Sequence, residues 1–329
     1  MSDYTEFLTT GAVLPLVNNR SAIIGTEIGN GFTAYVYKAQ LKSAVGEPQP
    51  VIVKLAKPTA IAAKLVKEEG DLLTALAETG KSYAPVLYAT GDHNGQPFLV
   101  MELIAAAPAF VGSEGSLGVR EELSCLKVMK EVYTFLGLLH GKLRRAYPDM
   151  KPDNFFWDEN ANRLRVIDFG GLSSLVLSAD EDLRAQSDVM VASTFFFTAL
   201  SGSRLRVGWN GLEDFAEPRI DQLDVSRGTR NLLRKLLCRE VTFRLHSAAL
   251  AADGVEALIN LWNWEGERLT QSIQRNLELA RQRQDTDPSA TSQAAERALE
   301  ALDLYRRRFG STQEGGIITS LFEQAQALS

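Results

Sequence analysis

The amino-acid sequence predicts an α+β protein in which a strand-rich part precedes a helix-rich part. Residues 21–56 alternate between apolar and polar side chains with the period of β-strands, whereas apolar residues recur every three or four positions from about residue 120 onward. A stretch rich in Ala, Gly, Ser and Pro, residues 105–118, separates the two parts. We therefore expect two lobes joined by a hinge.

The strand-rich part is predicted to contain four strands and one helix. Residues 46–50, Gly-Glu-Pro-Gln-Pro, have the composition of a turn and separate the second strand from the third. Residues 59–78 are rich in Ala, Lys, Glu and Leu, which favour a helix. The predicted strands cover residues 21–28, 35–39, 51–55 and 98–103.

The helix-rich part is predicted to contain four helices, followed by a pair of amphipathic, charge-rich helices. Residues 285–292 form the linker within that pair, and Gly315-Gly316 is expected to interrupt the helical pattern before the apolar tail 317–328. The predicted helices cover residues 120–143, 187–200, 228–239, 253–263, 265–283 and 292–309.

Composition and charge exclude several classes of protein. Hydrophobic residues make up 45% of the chain, which is ordinary for a soluble globular protein. The net charge of −6 argues against a general electrostatic nucleic-acid binder. No secretion signal is evident and the longest apolar stretch, 189–200, is too short to span a bilayer, so we expect a cytoplasmic protein without nucleic-acid or membrane partners. Cys125 and Cys238 lie in helix-like apolar stretches and are predicted to be buried free thiols in a reducing compartment.

Four polar residues beyond the hinge carry the strongest chemical signal: Asp149, Lys151, Asn154 and Asp168. A carboxylate such as that of Asp149 can orient a hydroxyl nucleophile, and a nearby lysine can neutralise charge on a transferred phosphoryl group. Asparagine and aspartate offer the hard oxygen ligands that suit Mg²⁺. An Asp-Phe-Gly tripeptide alone could arise by chance. Its combination with Asp-x-Lys-Pro-x-Asn and the strand-like residues 164–167 disfavours an interpretation as solvated loop residues.

Two features of the strand-rich part add to this signal. The glycines of Gly29-Asn30-Gly31 lie between two strands and would let backbone amides approach phosphate oxygens, although a plain hairpin is the commoner explanation. Lys54 ends an apolar strand and needs an anionic partner unless its tip reaches water. Glu69 and Glu68 compete for that role, and the leucines three, four and seven residues after Glu69 favour Glu69.

In order and spacing, these motifs resemble the protein kinase family over about residues 21–262. The resemblance implies a bilobal protein kinase-like fold with a small β-rich N-lobe, a helical C-lobe and a C-terminal helical extension. It also implies ATP as cofactor, with Mg²⁺ or Mn²⁺. The implied domains are residues 1–104 for the N-lobe, 105–263 for the C-lobe and 264–329 for the extension.

The resemblance further implies roles for individual residues. Met101 would be the gatekeeper, and backbone groups of Glu102 and Ile104 would bond the adenine edge. Asp188 would brace the backbone of the catalytic loop. The implied catalytic residues are Asp149, Lys151, Lys54 and Glu69. The implied nucleotide-binding residues are Ile28, Gly29, Gly31, Val36, Lys54, Met101, Glu102, Ile104 and Phe156. The implied metal ligands are Asn154 and Asp168.

The sequence departs from the family pattern in ways that bear on regulation. Tyr147 and Pro148 stand where the family has His and Arg, and that arginine commonly pairs with a phosphorylated activation-loop residue. Only 17 residues separate Gly170 from Asp188, without an Ala-Pro-Glu sequence, so Arg244 lacks its usual partner. Because Pro148 replaces the arginine that would bind such a phosphate, we predict an activity that does not require activation-loop phosphorylation recognised by an arginine at position 148. The absence of this activation machinery favours a bacterial or phage protein, an atypical Ser/Thr kinase of the eukaryotic-like class.

Two large residues are expected around the adenine base. Ile52 stands where the family usually has Ala, and Phe156 stands where Leu is common. The base pocket is therefore predicted to be tight or shifted, and the sign of the effect on affinity stays open.

The leading functional hypothesis is an ATP- and Mg²⁺-dependent phosphotransferase, acting as a Ser/Thr protein kinase. One alternative is a small-molecule kinase, which the short segment after Gly170 supports and the absence of a His-Gly-Asp catalytic loop opposes. Another is a nucleotide-binding regulatory module of the pseudokinase type. The C-terminal helices are predicted either to pack on the C-lobe or to dock a protein substrate or partner.

Overall fold

The computed structural model has the predicted strand-rich and helical lobes. It describes residues 8–43, 46–110, 120–147, 150–171, 173–176, 182–208, 211–309 and 315–328. The strand-rich lobe is built on one antiparallel sheet in the order β1-β2-β3-β4-β6-β5. Its strands are β1 (Val13–Pro15), β2 (Ser21–Asn30), β3 (Ala34–Lys42), β4 (Gln49–Ala56), β5 (Leu87–His93) and β6 (Gln96–Glu102).

The four predicted strands correspond to β2, β3, β4 and β6, while β1 and β5 were not predicted. Strand β4 lies in the interior of the sheet because it pairs with β3 on one side and β6 on the other. Lys54 on β4 stands opposite Val36 and Leu99, so the sheet fixes its backbone on both sides. This position places a buried lysine among the apolar residues in the second half of the strand.

One helix, α1 (Ala60–Glu78), packs on this sheet. The Thr59 side chain caps its first turn by accepting a hydrogen bond from the Ala62 amide at 3.1 Å. The helix approaches the sheet closely at Gly70, where an added Cβ would lie 3.0 Å from a methyl carbon of Leu99. Glu69, the residue before Gly70, is buried, and its carboxylate reaches the Phe169 amide of the helical lobe.

The helical lobe is centred on α3 (Leu183–Ser201), most of whose residues are buried. Helix α2 (Glu122–Gly137) packs against it and continues into a π-helical turn, Leu138–Lys142. The smaller helices are α4 (Glu217–Asp221) and α5 (Arg227–Leu236). Short strands complete the lobe: β7 (Ala107–Pro108), β8 (Arg145–Ala146), β9 (Phe155–Asp158), β10 (Arg163–Val166), β11 (Ser173–Ser174), β12 (Val207–Gly208) and β13 (Gly211–Leu212).

Three helices complete the chain: α6 (Ala248–Arg283), α7 (Pro288–Phe309) and α8 (Gly315–Leu328), and the C-terminal extension comprises the second half of α6 with α7 and α8. The prediction of separate helices at 253–263 and 265–283 is wrong, because both belong to the 36-residue helix α6. Gly315 begins α8 and does not interrupt a helical pattern. The proposed domain boundary after residue 263 falls inside α6, and the division into domains stays a prediction.

The extension has a hydrophobic cluster of its own. The first half of α6 joins the main core through Ala251, Val255 and Trp262. The second half packs against α7 and α8 through a separate set of buried residues: Ile273, Leu277, Ala298, Leu302, Leu321 and Ala325. The last two helices are therefore supported mainly by α6.

The prediction for one of the two cysteines is wrong. Helix α5 ends at Leu236, so Cys238 lies beyond it and is only half-buried, whereas Cys125 is buried as predicted. Both thiols are free. None of the helices in the described ranges combines the length and the hydropathy that a membrane-spanning segment requires.

Candidate active site

A cavity of about 600 Å³ is bordered by residues of both lobes. Its volume falls in the range of sites that bind small molecules and cofactors. Lys151 and the two predicted metal ligands, Asn154 and Asp168, line it. So do all the predicted nucleotide-binding residues: Ile28, Gly29, Gly31, Val36, Lys54, Met101, Glu102, Ile104 and Phe156. The structure thus brings these residues together around one cavity, while their roles stay predictions.

Lys54 is held between two carboxylates at the wall of this cavity. Its Nζ lies 2.7 Å from Oε2 of Glu69 and 2.9 Å from Oδ1 of Asp168. Burial by itself would lower the pKa of Lys54, but the charges of Glu69 and Asp168 outweigh it and raise the pKa above its ordinary value. The ammonium is therefore charged and positioned, and its tip does not extend into bulk water.

Glu69, and not Glu68, is the partner of Lys54. Glu69 is 2% exposed, whereas Glu68 is exposed and lies 3.7 Å from Lys64 on the surface of α1. The second carboxylate oxygen of Glu69 accepts a hydrogen bond from the Phe169 amide at 3.3 Å. Glu69 consequently joins the helix of the strand-rich lobe to the Asp-Phe-Gly turn.

The Asp-Phe-Gly turn has an unusual backbone. Asp168 has φ of 62°, a left-handed conformation that costs energy in a residue with a side chain. Burial raises the pKa of Asp168, but Lys54 and Lys151 outweigh burial and hold the pKa below its ordinary value. A Cβ at Gly170 would lie 3.2 Å from the Glu69 carboxylate, so the close approach of these groups favours glycine there.

Tyr147 has a positioning role that the sequence did not reveal. Its hydroxyl donates to the carbonyl oxygens of Ile167, at 2.7 Å, and Asp168, at 2.9 Å, and it accepts a hydrogen bond from Nδ2 of Asn154 at 3.1 Å. Its ring stacks on that of Phe169, with centroids 6.2 Å apart. The only available signal was that a buried phenol needs hydrogen-bond partners.

The donor set fits a magnesium ion that is bound together with phosphates. Because Asn154 uses its amide nitrogen toward Tyr147, its carbonyl oxygen is the group that can ligate a cation. Asp168 uses Oδ1 toward Lys54, which leaves Oδ2 for a cation. Mg²⁺ in phosphate sites takes one or two protein ligands and completes its octahedron with phosphate oxygens and water. In the described part of the chain, no group of three His, Cys, Asp or Glu residues gathers to form a self-sufficient metal site.

Asp188 braces the backbone at Tyr147, where the predicted catalytic loop begins. Its Oδ2 accepts hydrogen bonds from the Tyr147 amide at 2.6 Å and from Nε2 of His140 at 2.9 Å. Burial is the main reason that the pKa of Asp188 is raised. The predicted base, Asp149, and its neighbour Pro148 lie outside the described residues.

A second ion pair, absent from the sequence-based predictions, fixes the hinge strand. Arg165 on β10 contacts both carboxylate oxygens of Glu102, at 3.0 and 2.5 Å, and also donates to the Ala84 carbonyl oxygen at 3.1 Å. The Val86 amide donates to the same carboxylate at 3.0 Å. The end of β6 is thereby attached to the strand that leads to Asp168.

Arg244 has hydrogen bonds to main-chain oxygens. Its guanidinium donates to the carbonyl oxygens of Cys238, at 2.7 Å, and Arg239, at 3.2 Å. Burial lowers the pKa of Arg244. The residue therefore braces the turn after α5.

Comparison with known proteins supports the kinase-like fold. No family model matches the chain. A CDPK-related protein kinase from Daucus carota is 30% identical over 156 residues, which are 45% of this chain, and the chain spans about a quarter (25%) of that relative's length.

Two solved structures are similar over most of the chain. The autoinhibited serine kinase domain of the giant muscle protein titin has 16% identity and a TM-score of 0.57, covering 73% of this chain and 81% of that domain. The PknI kinase domain of Mycobacterium tuberculosis has 16% identity and a TM-score of 0.54, covering 77% of this chain and 99% of that domain. These likenesses show that the chain has a protein kinase-like fold.

Proposed function

We propose that the chain is an ATP- and Mg²⁺-dependent phosphotransferase that acts on Ser or Thr hydroxyls of proteins. The observation that carries this proposal is the Lys54 ammonium, held between Glu69 and Asp168 at the wall of a cavity of about 600 Å³. A buried, charged lysine beside a glycine-containing turn and two hard oxygen ligands suits the binding of a polyphosphate.

The residues of the chain divide the phosphotransfer chemistry among them. Lys54 would contact the nucleotide phosphates while Glu69 keeps its ammonium in place. Lys151 would offset charge on the transferred phosphoryl group, and Asp149 would orient the acceptor hydroxyl and take its proton. Mg²⁺ bound by Asn154 and Asp168 would supply neutralisation of phosphate charge.

The adenine base of the nucleotide would lie further along the strands β4 and β6. Ile52 and Met101 are register partners in β4 and β6, two residues from the pair formed by Lys54 and Leu99. Their side chains line the cavity together with that of Phe156. Apolar walls of this kind favour a planar base, whose polar edge would meet the backbone of Glu102 and Ile104.

The experiment that tests this function separates binding from chemistry. Purified wild-type chain, Asp149→Ala and Asp168→Ala are incubated with γ-labelled ATP and Mg²⁺, with and without mixed peptide acceptors. Label on protein or peptide that is lost in both variants supports the proposal. Mg²⁺-dependent ATP binding without transfer in the wild type supports a regulatory module. Absence of ATP binding overturns the proposal.

The acceptor class is a separate question. The short segment after Gly170 leaves room for a small-molecule acceptor, so transfer of label to a library of small alcohols but not to peptides would replace the protein kinase assignment.

We further propose a cytoplasmic location and a bacterial origin, which the two free thiols and the sequence Tyr147-Pro148 support. A protein partner is proposed to dock on the helices of the C-terminal extension.

A further inference from the structure

The helical lobe carries a basic surface on an otherwise acidic chain. Residues 224–240 contain five Lys or Arg and two Asp or Glu, a net charge of +3, whereas the whole chain has a net charge of −6. Most of these residues lie on α5 or directly after it. The excess of positive charge is therefore concentrated on one short stretch of the surface.

Three of these cations follow the exposed side of α5, and we call them the basic stripe: Arg227, Lys235 and Arg239. All three are exposed, and the exposed Asn231 lies midway between the first two. Residues four apart are neighbours on the surface of a helix, and Arg239 comes three residues after the end of α5. In the described part of the chain, none of the three forms an ion pair.

The basic stripe ends at an exposed apolar patch. The Arg239 guanidinium lies over the Phe215 ring, 4.9 Å from its centroid. Phe215 is 64% exposed, and Val241 and Phe243 of the following 3₁₀ turn are 48% and 75% exposed. The Arg244 side chain holds this turn in place through two main-chain oxygens. Unpaired cations and apolar side chains thus share one exposed surface.

We propose that the basic stripe and this apolar patch bind an acidic segment of a partner protein. Helix α5 has 10 residues and a length of about 15 Å, which matches about five residues of extended chain. Carboxylates of such a segment would pair with the cations in turn, and guanidinium groups can bind them through two parallel hydrogen bonds. An aromatic or aliphatic residue beyond the carboxylates would cover Phe215 and Phe243.

The positions of nearby carboxylates favour a protein segment over an anionic membrane. Asp224 and Glu240 are exposed at the two ends of the stripe, and Asp221 of α4 pairs with Arg234 beside it. A flat lipid surface would meet these carboxylates together with the cations, and it would repel a chain with a net charge of −6. A narrow segment that follows the stripe avoids most of this repulsion.

The surface is separate from the candidate active site. No residue of the basic stripe or of the apolar patch lines the cavity of about 600 Å³. The surface also differs from the helices of the C-terminal extension, because it lies on α5 and the turn after it. The inference therefore adds a partner class and does not depend on phosphotransfer.

The test selects binders from a library of short random peptides displayed on phage. The full chain is used as wild type and as a stripe variant with Arg227→Gln, Lys235→Gln and Arg239→Gln. The matched control loses the same charge at exposed lysines of the strand-rich lobe: Lys38→Gln, Lys42→Gln and Lys81→Gln. We expect peptides with several Asp or Glu and an aromatic or aliphatic residue to be enriched on the wild type and the control. Enrichment on the stripe variant should be about ten-fold lower.

Fluorescence anisotropy with one enriched, labelled peptide gives the affinity directly. Binding to the wild type should weaken several-fold between about 0.05 and about 0.2 M KCl, because exposed ion pairs are screened by salt. Phe215→Ser together with Phe243→Ser should weaken binding about three-fold or more while every cation stays in place. The salt dependence of the wild type keeps the test decisive if a variant fails to fold.

Selection of peptides without acidic residues, or equal enrichment on the stripe variant, would overturn the proposal. A third result would also overturn it and would assign the surface to a membrane. In that case the wild type, but not the stripe variant, sediments with vesicles of phosphatidylcholine and phosphatidylserine in a four-to-one ratio, and no acidic peptide is enriched. Since no readout uses ATP, failure here is distinct from failure of the proposed phosphotransferase function.

Discussion

At the scale of single residues, the site depends on a few side chains that each satisfy two or three partners. Lys54 joins Glu69 of α1 to Asp168, and Tyr147 joins Asn154 to the backbone of Ile167 and Asp168. Removing such a residue leaves several buried polar groups unpaired, which costs more than one average hydrogen bond.

We expect Lys54→Met to weaken both folding and nucleotide binding. Glu69 would remain as a buried, unpaired carboxylate, so the free energy of unfolding should fall by about 3 kcal/mol, the low end for a broken buried ion pair because Asp168 is half exposed. Affinity for ATP-Mg²⁺ should fall about ten-fold or more. Urea denaturation and calorimetry measure the two effects. Lys38→Met, at an exposed position of β3, is the matched control, and equal behaviour of the two variants would contradict the expectation.

Tyr147→Phe should affect metal binding more than its cost in stability suggests. Loss of the hydroxyl leaves Asn154 and the Asp168 backbone without their common partner, so we expect about ten-fold weaker Mn²⁺ binding in the presence of ADP. The stability loss should be about 1–3 kcal/mol. Tyr133→Phe removes another buried hydroxyl, bonded to Ser193 at 2.8 Å, and should lose stability without weakening the metal. A similar Mn²⁺ affinity in both variants would argue against a positioning role for Tyr147.

At the scale of elements, the helices of the extension differ in what they support. Helix α6 belongs to two hydrophobic clusters, one shared with α2 and one with α7 and α8. Lys130 of α2 also pairs with Glu256 of α6 at 2.8 Å. The first half of α6 is therefore part of the helical lobe, whereas α7 and α8 form an appended unit.

Deletion of residues 288–329 should leave a folded two-lobed core. The substitutions Ile273→Gln and Leu277→Gln accompany the deletion, because they make polar the part of α6 that it exposes. The cluster lost is separate from the main core, so we expect ATP-Mg²⁺ affinity within about two-fold of the wild type and one cooperative thermal transition. Calorimetry and size-exclusion chromatography provide the measurements. Deletion from residue 265, which cuts α6 internally, should be the less stable of the two. Aggregation of the first variant would mean that α7 and α8 are needed for packing.

At the scale of the whole molecule, two of the contacts that connect the lobes around the cavity stand out beside the Lys54–Asp168 ion pair. One is the contact of Glu69 with the Phe169 amide, and the other is the pair of Glu102 with Arg165. Both ties reach the segment that carries Asp168, one from each side. The segment that carries Asp168 is therefore attached to the strand-rich lobe on both of its sides.

The Glu102–Arg165 pair should contribute to stability in a pH-dependent way. Burial raises the pKa of Glu102, but hydrogen bonds from Arg165 and the Val86 amide outweigh burial and hold the pKa below its ordinary value. A carboxyl with a lowered pKa stabilises the fold above its unfolded pKa of about 4.3 and loses that contribution as pH falls through the folded pKa.

We therefore expect the destabilisation by Glu102→Gln to be largest near about pH 6 and to shrink toward about pH 3. Urea denaturation across this range measures the difference from the wild type. Glu68→Gln, on the exposed face of α1, serves as the control and should give a small difference at every pH. A constant difference for Glu102→Gln would show that the pair does not link folding to this proton.

Much of the architecture was predictable because local patterns suffice for it. The alternation in residues 21–56 and the spacing of leucines after Glu69 gave the strands and the buried face of α1, since each depends on one face being buried. The joining of two predicted helices into α6 was not predictable. Packing of α2 and α7 against α6 outweighs the weaker helical pattern near Trp264, and such packing is not visible in the local sequence.

The sequence by itself determined the fold class, the identity of the lysine, glutamate, asparagine and aspartate around the cavity, and the departures at Tyr147 and Pro148. These follow from residue type and spacing along the chain. Only the tertiary structure decided that Tyr147 joins Asn154 to Asp168 and that Arg165 holds Glu102. Arg165 and Glu102 are separated by 63 positions, and the direction of a side chain depends on packing between elements that no local pattern encodes.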